Sequence, residues 1–141
     1  MSTKRVTAEN YDGIWMRPII ATPNDELLTD GTTSNAIPPY AKVVDVQAVT
    51  NDADDWITLP DLDDVPNCHE ITINCNAGTD FEMRTPATSG DEINSEDCDG
   101  TKEYLCTDGE VVKVIKINST IGWMAHAYSA IGAVVTAVVP D

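Results

Sequence analysis

The chain has 141 residues, 42% of them hydrophobic, with 24 acidic and 8 basic side chains and a net charge of −16 at pH 7. That length suits one domain with a single core, and that apolar content excludes wholesale disorder. A surface of this sign repels phosphate backbones and the anionic leaflet of a bilayer, so neither nucleic acid nor membrane is expected among the partners; the acid keeps a β-rich chain soluble.

From the N-terminus, Lys4 and Arg5 precede a polar stretch instead of the apolar core of a signal peptide. The longest apolar run, 131–139, is broken by Gly132 and Thr136 and is too short for a membrane span. Synthesis in a cytoplasm is the expectation. Residues 1–41 carry Pro18, Pro23, Pro38 and Pro39 around a polar stretch, a composition that predicts an extended N-terminal arm with one short strand near Trp15–Ile20. Tyr11, Ile14, Trp15, Ile19 and Ile20 form an apolar cluster on that arm with no evident partner in the body. They are the candidate partner contacts, because extended segments dock by adding to an exposed sheet edge.

The body is assigned to residues 42–141. Strands are predicted at Val43–Val49 and Trp56–Leu59, within a stretch from Asp45 to Asp64 that holds seven acidic residues and no basic one. Beyond residue 70 the pattern alternates strictly. Ile71, Ile73 and Cys75 share one face and Glu70, Thr72 and Asn74 the other, and after a turn at Asn76–Thr79 the apolar face resumes with Phe81 and Met83. Asp108-Gly109 reads as a two-residue hairpin turn joining Lys102–Thr107 to Glu110–Ile117, with Cys106 opposite Val111. The terminal segment 121–139, with alanine at 125, 127, 130, 133 and 137, is apolar on both faces. Burial on both sides follows, in a core or a subunit interface, and Trp123, Val134, Val135 and Val138 are the candidate oligomer contacts. The fold class expected is all-β: a small antiparallel sandwich or barrel, jelly-roll-like, with little helix.

Few residues are arranged for chemistry. Ser95–Gly100 imitates the opening of a calcium loop, yet Ser95 stands at position one and Cys106 where the bidentate glutamate belongs, so a hairpin or loop tip with solvated acids is the better reading. No nucleophile elbow or phosphate-cradling loop is present, and His69 and His126 read as packed or surface residues. Cys68/Cys75 and Cys98/Cys106 lack the spacing of a zinc knuckle. No catalytic, metal or cofactor site is therefore expected, and the chain reads as a non-enzyme. As disulfides, Cys68 and Cys75 on one strand would stand about 23 Å apart at ~3.3 Å per residue. Two bonds would need cross-pairing, 68 with 98 and 75 with 106 or the reverse. A cytoplasm favours free thiols, and exposure outside a cell favours oxidation.

Trp56–Pro60, Phe81–Pro86, Glu103–Leu105 and Gly122-Trp123 together resemble the β-rich body of small virion proteins of tailed bacteriophages, most closely capsid decoration (cement) proteins. The resemblance covers residues 56–141 and leaves 1–41 outside it. It implies a structural protein on the outer capsid surface of the virion, bound to the major capsid protein and to itself as a homo-oligomer, a trimer being the common form. Cementing works by mass action, since a ligand that binds only the assembled lattice stabilises it. Comparable modules serve in tails and fibres, where the function would be adhesion to a host-surface receptor. An exposed aromatic platform would favour adhesion, but Trp15, Trp56 and Trp123 are scattered. A soluble accessory β-domain is the remaining alternative.

Overall fold

The computed structural model describes residues 18–24, 34–47, 54–87 and 89–135. The strands are β1 (Ile19–Ala21), β2 (Val43–Val46), β3 (Trp56–Thr58), β4 (Glu70–Cys75), β5 (Phe81–Arg84), β6 (Glu92–Ile93), β7 (Glu96–Asp97), β8 (Tyr104–Cys106), β9 (Val111–Asn118) and β10 (Gly122–Tyr128). Helix among the described residues is confined to one 3-10 turn, Leu62–Asp64. The chain is all-β, as its alternating pattern predicts.

The strands form two sheets, a seven-stranded one in the order β1-β2-β4-β9-β10-β6-β7 and a three-stranded one in the order β3-β5-β8. Both feed one hydrophobic core, with Val44, Ile71, Ile73, Val112, Val114 and Trp123 from the large sheet and Ile57, Phe81, Met83 and Tyr104 from the small one. The arrangement is a sandwich, but the expected antiparallel, jelly-roll-like pairing is corrected. The pairs β1–β2, β2–β4, β3–β5 and β6–β10 are parallel, while β4–β9, β9–β10, β5–β8 and β6–β7 are antiparallel. The reason is the path of the chain: it passes β2 to β3, β3 to β4 and β4 to β5 by changing sheet each time. A strand that returns to its sheet after a detour through the other can arrive parallel, which a tight hairpin does not allow.

The Asp108-Gly109 turn illustrates the same point. Glu110 N donates to Thr107 O and Gly109 has φ 84°, so the chain does turn there. The strands it joins are not partners, however: β8 pairs with β5, and β9 pairs with β4 and β10. Gly109 N donates to Cys75 O and Cys75 N to Glu110 O, which commits the chain after the turn to the end of β4. Tyr104 and Cys106 face the core from one sheet and Val112 and Val114 face it from the other. The turn is an arch between layers.

A true two-residue hairpin lies at Asn94-Ser95, where both residues adopt positive φ (52° and 71°) and join β6 to β7. The turn overlaps the segment that imitates a calcium loop at Ser95 alone; Glu96 and Asp97 continue as β7, Glu96 pairs with Lys102, and Cys98 is buried. Asn94 is part of the sheet in its own right. Its side-chain amide donates to Ala125 O and accepts from Ala125 N, extending the β6 ladder along β10.

Most of the expected arm lies outside the described residues, including Tyr11, Ile14 and Trp15. The described parts of 1–41 are laid into the body. β1 pairs in parallel with β2, Ala21 is fully buried and Ile19 packs on the core. Asn24 bridges to Trp56 and Ala36 to Thr58, while Ile37 and Ala41 are buried. The expectation that Ile19 lacks a partner in the body is thereby corrected: one apolar face on a three-residue strand suffices to close the open edge of β2.

Candidate functional site

Because side chains alternate along each strand, the large sheet has an outer face that the register defines row by row. One row runs Met124, Ile115, Glu70; the next His126, Lys113, Thr72, Val43; the third Tyr128, Val111, Asn74, Asp45, Ile20. Val43 is 47% exposed and Ile20 40% exposed, and Val111, Ile115, Met124 and Tyr128 are half-buried. The charges on these rows nearly cancel. Lys113 Nζ stands 3.5 Å from Glu70 Oε1, and Asp45 accepts from Gln47 and Asn74. On a chain of net charge −16, this is a surface with little charge to desolvate.

The acids gather elsewhere. Asp54, Asp63, Asp64, Asp97 and Asp108 are exposed on loops and on the short edge hairpin. Several act as caps that tie loops together: Asp61 accepts from Asp63 N, Asp91 from Leu62 N, Asp108 from Gly78 N and Asp80 from Asp108 N. The outer face of the small sheet carries a denser polar group. Arg84 donates from Nε to Glu82 Oε2 at 2.8 Å and pairs through Nη2 with the same oxygen, and its guanidinium lies 4.1 Å from the Trp56 ring centroid. Burial pushes the Glu82 carboxyl above the usual range, against the opposing pull of Arg84, with Glu103 and Asp54 adding like charge. Arg84 thus occupies the Trp56 face that an adhesive platform would need free.

Two cationic side chains are structural, Lys116 buried and Lys42 exposed. Lys116 points inward from β9 and donates from Nζ to Leu62 O and to Val65 O at 2.8 Å, pinning the 3-10 turn to the large sheet. Lys42 donates to His69 Nδ1 at 3.0 Å, and since an ammonium has no acceptor, the Nδ1 of His69 must be unprotonated. Its Nε2–H then donates to Ala41 O at 3.0 Å. Burial and the neighbouring Lys42 charge hold the His69 pKa below its ordinary value, consistent with this neutral tautomer. His69 is a packed residue and His126 an exposed one, as the sequence reading has them. Among the described residues no group of three or more His, Cys, Asp or Glu could hold a metal ion, and no helix is long and apolar enough to cross a membrane.

The candidate oligomer contacts separate. Trp123 is corrected: it is fully buried, pairs across to Lys116 and Ile93, and its bulk fills the centre of the core. The two-faced burial expected for the terminal strands is likewise corrected, because β10 alternates between inward Trp123, Ala125 and Ala127 and outward Met124, His126 and Tyr128. Val135 packs on the core, and its N–H donates to Ala127 O. Val134 is 72% exposed and Ile131 92% exposed, while Val138 lies outside the described residues. Sequence reasoning missed the charge-poor outer face, since its members are spread over five strands and only the register brings them together. Comparison with protein-family models, curated proteins and solved structures finds no match.

Proposed function

We propose that this chain is a non-enzymatic structural protein that docks through the outer face of its large sheet onto an assembled protein lattice. Its role is that of a decoration protein on the outer capsid surface of a tailed bacteriophage, where it stabilises the shell by binding the assembled state. The observation that carries the reading is the charge-balanced, half-apolar face of β2, β4, β9 and β10 on a strongly acidic chain. Apolar and main-chain contacts dominate such a face, and few carboxylates need desolvation there. The resemblance over 56–141 supplies the lattice: the partner is the major capsid protein, and the site of action is the virion. Homotrimer formation belongs to the same proposal, with exposed Ile131 and Val134 as its apolar contact. The segment 1–17 is the remaining tether, since β1 is already part of the body.

The test is co-sedimentation of purified protein with heads and, separately, with tails. Binding to heads that survives physiological salt, is lost in Val43→Glu/Ile115→Glu, and persists in a variant carrying acids only on the small sheet's face supports the proposal. Saturable binding to tails alone would replace it with the adhesion reading. A steep loss of head binding between low and physiological salt would show that the acidic loops make the contact instead. Removal of residues 1–17, which spares β1, reads out the tether.

A further inference from the structure

The two arches that carry the chain between sheets lie side by side. Residues 76–80 lead from the end of β4 to the start of β5, and residues 107–110 lead from the end of β8 to the start of β9. They are clipped together: Gly109 N donates to Cys75 O at 2.7 Å, Cys75 N to Glu110 O at 2.9 Å, Gly78 N to Asp108 Oδ1 at 2.8 Å and Asp108 N to Asp80 Oδ1 at 2.9 Å. At the inner base of this junction stand Cys75, the last residue of β4, and Cys106, the last of β8. Both are fully buried thiols. Their side chains enter the same core from opposite sheets, each at the strand end that the arch hydrogen bonds hold together. No other cysteine shares the junction, for Cys68 is exposed beside the start of β4 and the Cys98 carbonyl accepts from Thr85 N on the far side of β5.

We infer that Cys75 and Cys106 are a disulfide site that covalently joins the two sheets of the sandwich when the chain encounters an oxidising environment. The oxidant is a low-molecular-weight disulfide of the glutathione class. One protein thiolate attacks its S–S bond and expels one small thiolate, leaving a mixed disulfide. The second protein thiolate then attacks the protein sulfur of that mixed disulfide and expels the other. The balance is two protein thiols and one small disulfide giving one protein disulfide and two small thiols, with the two protons passing to the leaving thiolates. The pair is oxidised by two electrons and the small disulfide reduced by two.

Burial governs when this can happen. It pushes the Cys106 thiol pKa well up, so folded Cys106 holds almost no thiolate, and it shields both sulfurs from the oxidant. Oxidation therefore takes place during folding or through transient opening of the arches, and slowly in the native protein. Once formed, the bond lies out of reach of reductant for the same reason. A chain folded in a reducing compartment keeps the thiols, and one refolded or aged outside it gains the link.

The experiment refolds denatured full-length protein in glutathione buffers of increasing oxidised fraction, alkylates the remaining thiols, and maps bonds by mass spectrometry without reduction. Cleavage after Glu70, Arg84 and Lys102 places the four cysteines in four separate peptides. The expected result is one dominant bond, Cys75 to Cys106, in protein with native circular dichroism. A rise in urea midpoint that reductant abolishes under denaturing conditions should accompany it. The variant Cys68→Ser/Cys98→Ala, which keeps only the pair, should oxidise to the same extent with no interchain disulfide. Four free thiols at every buffer ratio, a different dominant pairing, or a 75–106 bond found only in protein that has lost its native spectrum would each overturn the inference. A glutathione adduct on exposed Cys68 alongside the bond leaves it standing.

Discussion

Tyr104→Phe should stabilise this protein, against the usual direction for a core substitution. The Tyr104 side chain comes from β8, is 1% exposed and is among the largest in the core. Its hydroxyl is buried with no hydrogen-bond partner among the described residues. The same desolvation raises its phenolic pKa, with the nearby Cys106, Glu110 and Cys75 adding to the effect. A hydroxyl taken from water without a compensating bond costs about 1–3 kcal/mol. Phenylalanine keeps the ring and its contacts and gives up one oxygen, whose lost dispersion amounts to a few tenths, ~0.3 kcal/mol. The net expectation is a gain of roughly 1 kcal/mol, or a rise in Tm of about 3–6 °C for a chain of this size. Urea titration followed by circular dichroism provides the assay, with an unchanged m-value required so that the shift reports the folded state. A loss of about 1 kcal/mol or more would refute the reasoning, because it would mean that the hydroxyl is hydrogen-bonded in the folded protein.

Two further predictions concern backbone and pH. Gly122 opens β10 at φ 81°, and a Cβ there would stand 2.4 Å from the Glu92 carbonyl oxygen, a backbone atom that cannot swing away. Gly122→Ala should therefore cost about 2–4 kcal/mol by denaturant titration, with the β6–β10 pairing loosened in hydrogen exchange. His69 has a folded pKa below its unfolded value, so the unfolded state binds more protons between the two. Its contribution is complete above about pH 6.5 and is lost as pH falls through the folded pKa. Comparing stability at neutral and mildly acidic pH for the wild type and His69→Gln should show a flatter profile in the variant over that window.

The period-2 signal located most of the body strands because alternation reports which side chains face inward, and β4, β9 and β10 obey it closely, whereas in β5 Glu82 is buried along with Phe81 and Met83. It cannot report which strand lies alongside. Asp108-Gly109 has the residues of a hairpin turn and makes an arch instead, because the choice is settled by whether β8 finds a better partner in β5. Trp123 looked suited to an interface since the segment that carries it is apolar on both faces. In the folded chain β10 alternates, and the indole takes an inward position while Met124 and His126 face outward. Lys116 carried no signal at all: its ammonium is buried only because Leu62 and Val65, over fifty residues away in sequence, present carbonyls to it. Ile19 and Ala21 were legible as apolar, but the short edge strand they form depends on β2 being left open.

Charge segregation sets the orientation of the proposed docking. Each copy carries a net −16, and neighbours on a lattice repel wherever their acidic loops approach within a Debye length, about 8 Å at physiological ionic strength. The repulsion is least when the large sheet's outer face meets the shell and the small sheet turns outward. Asp54, Asp63 and Asp64 then project into solvent, where counterions screen them. Contact between copies must in turn run through segments poor in charge, and the described stretch from Ser129 to Val135 holds no ionisable side chain. Placing a carboxylate there tests the orientation apart from the fold, because Ile131 is 92% exposed and contributes little to the core. Ile131→Asp should leave urea stability within about 0.5 kcal/mol of the wild type while lowering self-association in sedimentation velocity. Equal association in the variant would mean that copies meet through another surface, and the outward placement of the acidic loops would lose its support.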